Sequence, residues 1–157
     1  MRIRPARLED FEALCRLWEA LDEHHRRARP DLFRVPPGER REREAVRGRV
    51  EGPDSTILVA EEGTDLLGFC TALLQHRPAT PVRDERRLVE VDELVVRPDR
   101  RRRGVASALL DAALAWARER PGVTSVELNV WDFNAEARAF YEARGFATLV
   151  RRLGRPL

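Results

Sequence analysis

The apolar positions of this chain alternate between a helical and a strand period, and the switches divide it into elements. Ile3, within Met1 to Arg4, marks a short first strand stopped by Pro5. From Glu9 to Arg27, the residues Phe11, Leu14, Cys15, Trp18 and Leu21 recur at three- and four-residue steps, the stripe of an amphipathic helix. Arg29-Pro30 ends it, Pro30 to Gly38 reads as a loop, and Glu39 to Val50 predicts a second, strongly charged helix with few apolar anchors. Ser55 to Ala60 and Leu66 to Gln75 predict a hairpin turning at Gly63. A loop with Pro78 and Pro81 leads to a strand over Arg87 to Arg97, where the unbroken Leu94-Val95-Val96 implies burial on both faces. After Pro98 a helix runs from Gly104 to Arg118, carrying Val105, Ala108, Leu109, Ala112, Ala113 and Trp116 on one side. Pro121-Gly122 breaks it. Thr124 to Trp131 predicts a strand, Asn134 to Ala143 a short helix stopped by Gly145, and Phe146 to Leu153 a terminal strand. The order predicts a mixed α/β sheet, and with no repeat or linker the 157 residues read as one domain over 1–157.

Composition narrows the function. With 43% apolar and 36% charged residues the chain reads as a soluble globular protein. No window approaches the roughly 20 apolar residues of a membrane span. Met1 to Pro5 lacks the apolar run of a signal peptide, so a cytoplasmic location is expected. Formal net charge is only +2 and all 29 basic residues are arginine, which weakens an arginine run as a sign of nucleic-acid binding; none is expected. Cys15 and Cys70 lie among apolar neighbours and read as buried, reduced thiols. The histidines and cysteines show no ligand spacing, so no metal site is expected.

The segment Val95 to Ser107 carries candidate chemistry. A strand delivers the chain to a tight turn and a helix leaves it, and the first N–H groups of that helix have no intrahelical acceptor. Such an end binds a pyrophosphate where the backbone can be approached closely, which Gly104 and Ala106 permit. Arg101, Arg102 and Arg103 add positive charge, Val105 opens the helix, and Ser107 offers a hydroxyl in the first turn. By itself the segment reads equally as a solvated arginine run before an ordinary helix. It is neither a Walker loop nor a dinucleotide fingerprint, because their glycine patterns and the Gly-Lys-Ser/Thr ending are absent.

The decision comes about thirty residues downstream, where a strand ends, Asn134 opens a short helix, Tyr141 lies two turns along it and Gly145-Phe146 closes it. Together with the strand Asp92 to Val96 followed by Arg97-Pro98, and the turn Arg101-x-x-Gly104-x-Ala106, these residues make the chain resemble the GNAT superfamily of acetyl-CoA-dependent N-acetyltransferases. The resemblance covers residues 87 to 150 and, before that, the order of elements only. The family most often has glycine where this chain has Arg102, and often where it has Ala106; an Arg102 side chain pointing outward would leave the turn's N–H groups free.

The resemblance implies a GNAT-like fold, a mostly antiparallel central sheet splayed around the cofactor with flanking helices. It implies that the pantetheine arm of acetyl-CoA pairs with Leu94, Val95 and Val96 like an added strand, and that the pyrophosphate sits on Arg101 to Ser107. Asn134 is assigned to capping its helix or contacting the cofactor. A backbone N–H near Val95 would stabilise the oxyanion as an amine attacks the thioester, and Tyr141, the chain's single tyrosine, would protonate the departing thiolate. For the base, Asp92 and Glu93 are both candidates, with Glu93 preferred; strand alternation puts them on opposite faces. His24 and His25 read either as a proton shuttle beside the acceptor or as surface histidines at a helix C-terminus. The expected acceptor is an amine, on a small molecule rather than a protein, and a homodimer is compatible with a short last strand.

Overall fold

The computed structural model describes residues 1–35 and 41–155. Strand β1 (Arg2–Pro5) leads through a single 3-10 turn into helix α1 (Phe11–Ala28), followed by α2 (Arg43–Glu51). Strands β2 (Ser55–Glu62), β3 (Asp65–Arg77) and β4 (Arg86–Val96) follow as a meander. A second 3-10 turn, Pro98–Arg100, precedes α3 (Val105–Arg118), β5 (Val123–Leu128) and α4 (Ala135–Ala143). The strands form one sheet in the order β1-β2-β3-β4-β5; neighbours are antiparallel except the parallel pair β4 and β5. No helix among the described residues is long and apolar enough to cross a membrane.

Each sheet face carries its own core. On one, α3 lays Val105, Leu109, Leu110 and Ala113 over Cys70, Ala72, Val89 and Val91. On the other, α1 and α2 bring Leu14, Trp18 and Val46 onto Ile57, Val59, Phe69 and Val95, with the Trp18 and Phe69 rings 4.9 Å apart. Strand β4 therefore contributes to both cores, Val89 and Val91 to one and Val95 to the other, as its unbroken apolar run predicts. Cys15 and Cys70 are both free thiols.

Three boundaries differ from the expectation. The second helix begins at Arg43; Glu39 lies outside the described residues, and Glu42 takes an extended conformation at the helix entry. Strand β5 stops at Leu128, short of Trp131. The terminal strand expected over Phe146 to Leu153 is absent, and the segment runs without regular pairing. An alternating pattern specifies a strand only when a sheet edge receives it, and this segment lies on none.

Candidate functional site

The site begins where β4 and β5 part. Their pairing ends at Val91 opposite Leu128, while β4 continues to Val96 with β3 on one side only, Cys70 opposite Leu94 and Gly68 opposite Val96. The stretch Asp92 to Val96 therefore offers a free edge of alternating N–H and C=O groups, the surface onto which an extended amide-bearing chain can be added. Gly68 keeps this arm in place. A Cβ built there would lie 2.4 Å from the Val95 carbonyl oxygen and 3.2 Å from Val96 Cα, both backbone atoms. Gly68→Ala is thus expected to destabilise the fold by about 1–3 kcal/mol and to weaken cofactor binding, checked by thermal melts and titration calorimetry.

The edge runs directly into the phosphate-binding candidate. Arg102 adopts φ +58 and Gly104 φ +79, and these left-handed residues fold the chain so that α3 starts immediately after them. The first helical bond there is Ala108 N–H to the Gly104 carbonyl, at 3.0 Å. The N–H groups of Val105, Ala106 and Ser107 precede it and aim out of the helix end. Nothing lies within 4 Å of where a Gly104 Cβ would stand, so the turn is open at this residue. Arg102 points outward, its side chain 88% exposed and its Nε 3.8 Å from Glu136, so the turn stays accessible despite the departure from glycine. Arg101 turns back to donate from Nε to the Val96 carbonyl at 3.4 Å. Neither Arg101 nor Arg103 forms an ion pair among the described residues, which leaves two guanidinium charges beside the cradle. A donor-rich helix start, an open space over a glycine and adjacent cations together fit a pyrophosphate.

The two carboxylates do not take opposite faces. A bulge in β4 pairs Thr71 with Glu93 but the next residue, Ala72, with Val91, leaving Asp92 as the extra residue. A bulge breaks the alternation on which the opposite-face expectation rests. As a result Arg49 of α2 reaches both, Asp92 at 3.1 Å and Glu93 at 3.6 Å. Glu93 is the more enclosed, with its side chain 16% exposed, Thr71 Oγ1 donating to it at 3.2 Å and Arg41 at 3.9 Å. Burial raises its pKa above the usual carboxylate value; Trp18 opposes this as an approaching donor, Asp92 adds to it, and Arg49 and Arg41 oppose it. The Trp18 indole nitrogen is buried and meets no acceptor at full hydrogen-bonding geometry, so its opposition is partial. A carboxylate with a raised pKa beside an open strand edge is suited to taking a proton.

Tyr141 sits on the other side of the sheet. Helix α4 packs it against the α3-side core, its ring 5.3 Å from Phe140 and 5.6 Å from Phe146. Burial, and secondarily Cys70, push its pKa upward, so the phenol keeps its proton well above neutrality. Cys70, whose thiol burial pushes up to about 12, lies within electrostatic reach of both Tyr141 and Glu93. Cys70 itself pairs with Leu94 of β4. Asn134 caps α4, its Oδ1 accepting from Ala137 N–H at 3.1 Å, which leaves its amide N–H groups and the second lone pair of Oδ1 for another partner.

Residues around Glu93 that the sequence did not mark come from distant segments. Arg41 spans from Glu93 to Asp22 of α1, at 3.1 Å. One turn beyond Asp22, His25 stacks on Phe33 with ring centres 5.1 Å apart, and Phe33, Trp131 and Phe133 continue an aromatic wall from the loop after β5. His24 joins this wall through Phe133 at 6.0 Å. Burial, aided by His24 and opposed by Asp22, lowers the His25 pKa. In the C-terminal part of α1, His24 is exposed and His25 is half-buried against Phe33 and Phe133. His76 pairs instead with Glu85 on the surface.

Sequence comparison agrees with this geometry. The sequence profile of the acetyltransferase (GNAT) family matches residues 18–146. The chain belongs to the GNAT acetyltransferase family. It is 30% identical over 146 residues to an uncharacterized N-acetyltransferase, YhfO, of Bacillus subtilis (strain 168), covering 93% of this chain and 89% of that one. A tetramutant of the BH1408 protein from Bacillus halodurans superposes with a TM-score of 0.92 at 27% identity, covering all of both chains. An aminoglycoside N-acetyltransferase, AAC(6')-Iy, solved in complex with CoA, shares the fold at a TM-score of 0.73 and 18% identity, over 99% of this chain and 98% of that one. GNAT membership makes the chain an acetyl-CoA-dependent acyltransferase. Its mixed sheet, mostly antiparallel and opened between β4 and β5 by the loss of pairing after Val91, is the GNAT-like architecture. Among the described residues no group of three or more His, Cys, Asp or Glu is arranged to hold a metal.

Proposed function

We propose that this GNAT protein transfers the acetyl group of acetyl-CoA to a primary amine by direct attack, with both substrates bound together. The observation that carries the reading is the continuity of the free β4 edge with the exposed N–H groups of the α3 start. Acetyl-CoA supplies the activated carbonyl. Leu94, Val95 and Val96 bind its two amides by backbone pairing, and the N–H groups around Gly104, with Arg101 and Arg103, hold its pyrophosphate. An N–H of β4 near Val95 polarises the thioester carbonyl. Glu93 accepts the amine's proton, with Asp92 sharing its Arg49 partner, and Tyr141 returns a proton to the departing sulfur from the opposite face. The upward shift of Glu93 favours a group that can load a proton, and that of Tyr141 keeps the phenol protonated before transfer.

The acceptor reading is a small cationic amine. Among the described residues the three carboxylates Asp22, Asp92 and Glu93 share two guanidinium partners, Arg41 and Arg49, so acidic groups outnumber basic ones here, and a cation is attracted to both carboxylates and ring faces. The test is release of the CoA thiol from acetyl-CoA against a panel of primary amines, with CoA binding measured in parallel. Amine-dependent release is expected; tight CoA binding with no release on any amine would instead mark a non-catalytic cofactor sensor.

Gly104 gives an independent check on the cradle. Gly104→Val must adopt a left-handed backbone that a β-branched residue resists, at about 1–2 kcal/mol, and so shifts the turn that sets the direction of the following N–H groups. Titration calorimetry should show acetyl-CoA affinity falling at least about tenfold, equivalent to roughly 1.4 kcal/mol. Unchanged affinity would move the phosphate site elsewhere.

A further inference from the structure

Two buried side-chain nitrogens among the described residues, Arg120 Nε and Trp18 Nε1, meet no acceptor at full hydrogen-bonding geometry. Arg120 has compensation, its guanidinium carbon lying 4.3 Å from the centre of the Trp116 ring. The Trp18 donor sits in the core between α1 and the sheet, on a side chain 1% exposed. An N–H left unpaired there forfeits its hydration with nothing in return, so its surroundings should hold an acceptor within reach. The group it approaches is the Glu93 carboxylate. The sheet register explains why. On β3, Phe69 and Thr71 share one face, opposite Val95 and Glu93 of β4. Trp18 sets its ring 4.9 Å from Phe69, and Thr71, the next residue on that face and fully buried, gives its hydroxyl to Glu93 at 3.2 Å. Arg41 joins the same pair, its guanidinium carbon 5.4 Å from the Trp18 ring centre and a nitrogen 3.9 Å from Glu93.

The charged and titratable groups facing Glu93 come from every element packed against it. Arg49 of α2 lies at 3.6 Å, Arg41 at 3.9 Å with Asp22 of α1 beyond it, Asp92 adjoins it in β4, and the Cys70 thiol of β3 is within electrostatic reach. Both arginines are shared with a second carboxylate, Arg49 with Asp92 and Arg41 with Asp22. We propose that Trp18 is a positioning residue, its indole N–H closing on the Glu93 carboxylate and fixing the direction in which that carboxylate meets the acceptor amine. A neutral donor suits this task. A cationic acceptor is repelled by the guanidinium groups that hold Glu93, whereas the Trp18 N–H and the Thr71 hydroxyl orient the carboxylate without cancelling its charge. Trp18 acts here only through Glu93, so the inference rests on Glu93 being the base.

Proton–nitrogen spectra of the indole groups test the contact without relying on activity. The chain has three tryptophans, so Trp116→Phe and Trp131→Phe assign the Trp18 signal by elimination. As pH rises through the Glu93 titration, read in parallel from its carboxyl carbon, the Trp18 indole proton should move downfield along the same curve. In Glu93→Gln it should stay still over that range. Trp18→Phe keeps a ring against Phe69 and deletes the donor; because that donor favours the ionised carboxylate, the Glu93 midpoint should rise by about half a pH unit or more. The rising limb of the rate–pH profile should move up with it. A midpoint that moved while the limb stayed in place would uphold the contact and remove Glu93 as the base. An indole proton indifferent to the Glu93 titration in the wild-type chain would overturn the proposal, whether or not Trp18→Phe folds. So would an unmoved midpoint in folded Trp18→Phe.

Discussion

Tyr141→Phe is expected to lower turnover by on the order of 10²-fold or more while leaving acetyl-CoA affinity within about twofold of the wild type. The structure gives the reason for both halves. The phenol lies half-buried against Phe140 and Phe146, and no side-chain hydrogen bond ties its oxygen to the fold among the described residues. Removing the hydroxyl should therefore leave packing intact, whereas a purely structural tyrosine would show its loss in the melting temperature. Burial raises the phenol's pKa, so it stays protonated across the neutral range. Steady-state kinetics at saturating acetyl-CoA check the prediction, and turnover equal to wild type would remove Tyr141 from the reaction.

Glu93→Gln should lower turnover by about 10- to 100-fold and alter its dependence on pH. A base acts when ionised, so the wild-type rate should climb as pH rises through a pKa lying above the ordinary carboxylate value, and that limb should vanish in the variant. The same shift fixes the sign for stability. A carboxyl whose pKa is higher in the folded than in the unfolded chain favours folding while protonated, and that advantage is lost as pH rises through the folded value. At neutral pH the ionised Glu93 therefore costs stability, and Glu93→Gln should melt at a higher temperature than wild type while working more slowly. A variant that lost both activity and stability would recast Glu93 as a structural partner of Arg49 and Thr71.

Much of this site is legible in the sequence because its parts are local. The α3 start follows from Pro98, the arginines and Gly104, and the Asn134 cap from its place before Ala135 to Ala143. The outward course of Arg102 also follows, since a side chain directed into the turn would occupy the donors. What the sequence did not show depends on partners far away along the chain. The bulge at Asp92 is a mismatch between two strands, visible only when Thr71 and Ala72 are laid beside β4. Strict alternation over Asp92 and Glu93 gave the wrong faces for that reason. Arg41 and Arg49 reach Glu93 from the loop before α2 and from α2 itself, with no motif to announce them. The aromatic wall is likewise assembled from α1, the loop at Phe33 and the loop after β5. Phe146 to Leu153 shows the same limit from the other side, a strand-like local pattern that no strand receives.

The central claim is that the β4 edge and the α3 start together hold the cofactor, and backbone amide titration addresses it most directly. Proton–nitrogen correlation spectra of the labelled protein, recorded as CoA is added, report on each N–H separately. The largest shifts are expected at Arg102 to Ser107, where the pyrophosphate accepts from the turn, and next along Leu94 to Val96, where the pantetheine arm pairs with the strand. Amides in these two stretches that stayed still while CoA bound elsewhere on the protein would contradict the account.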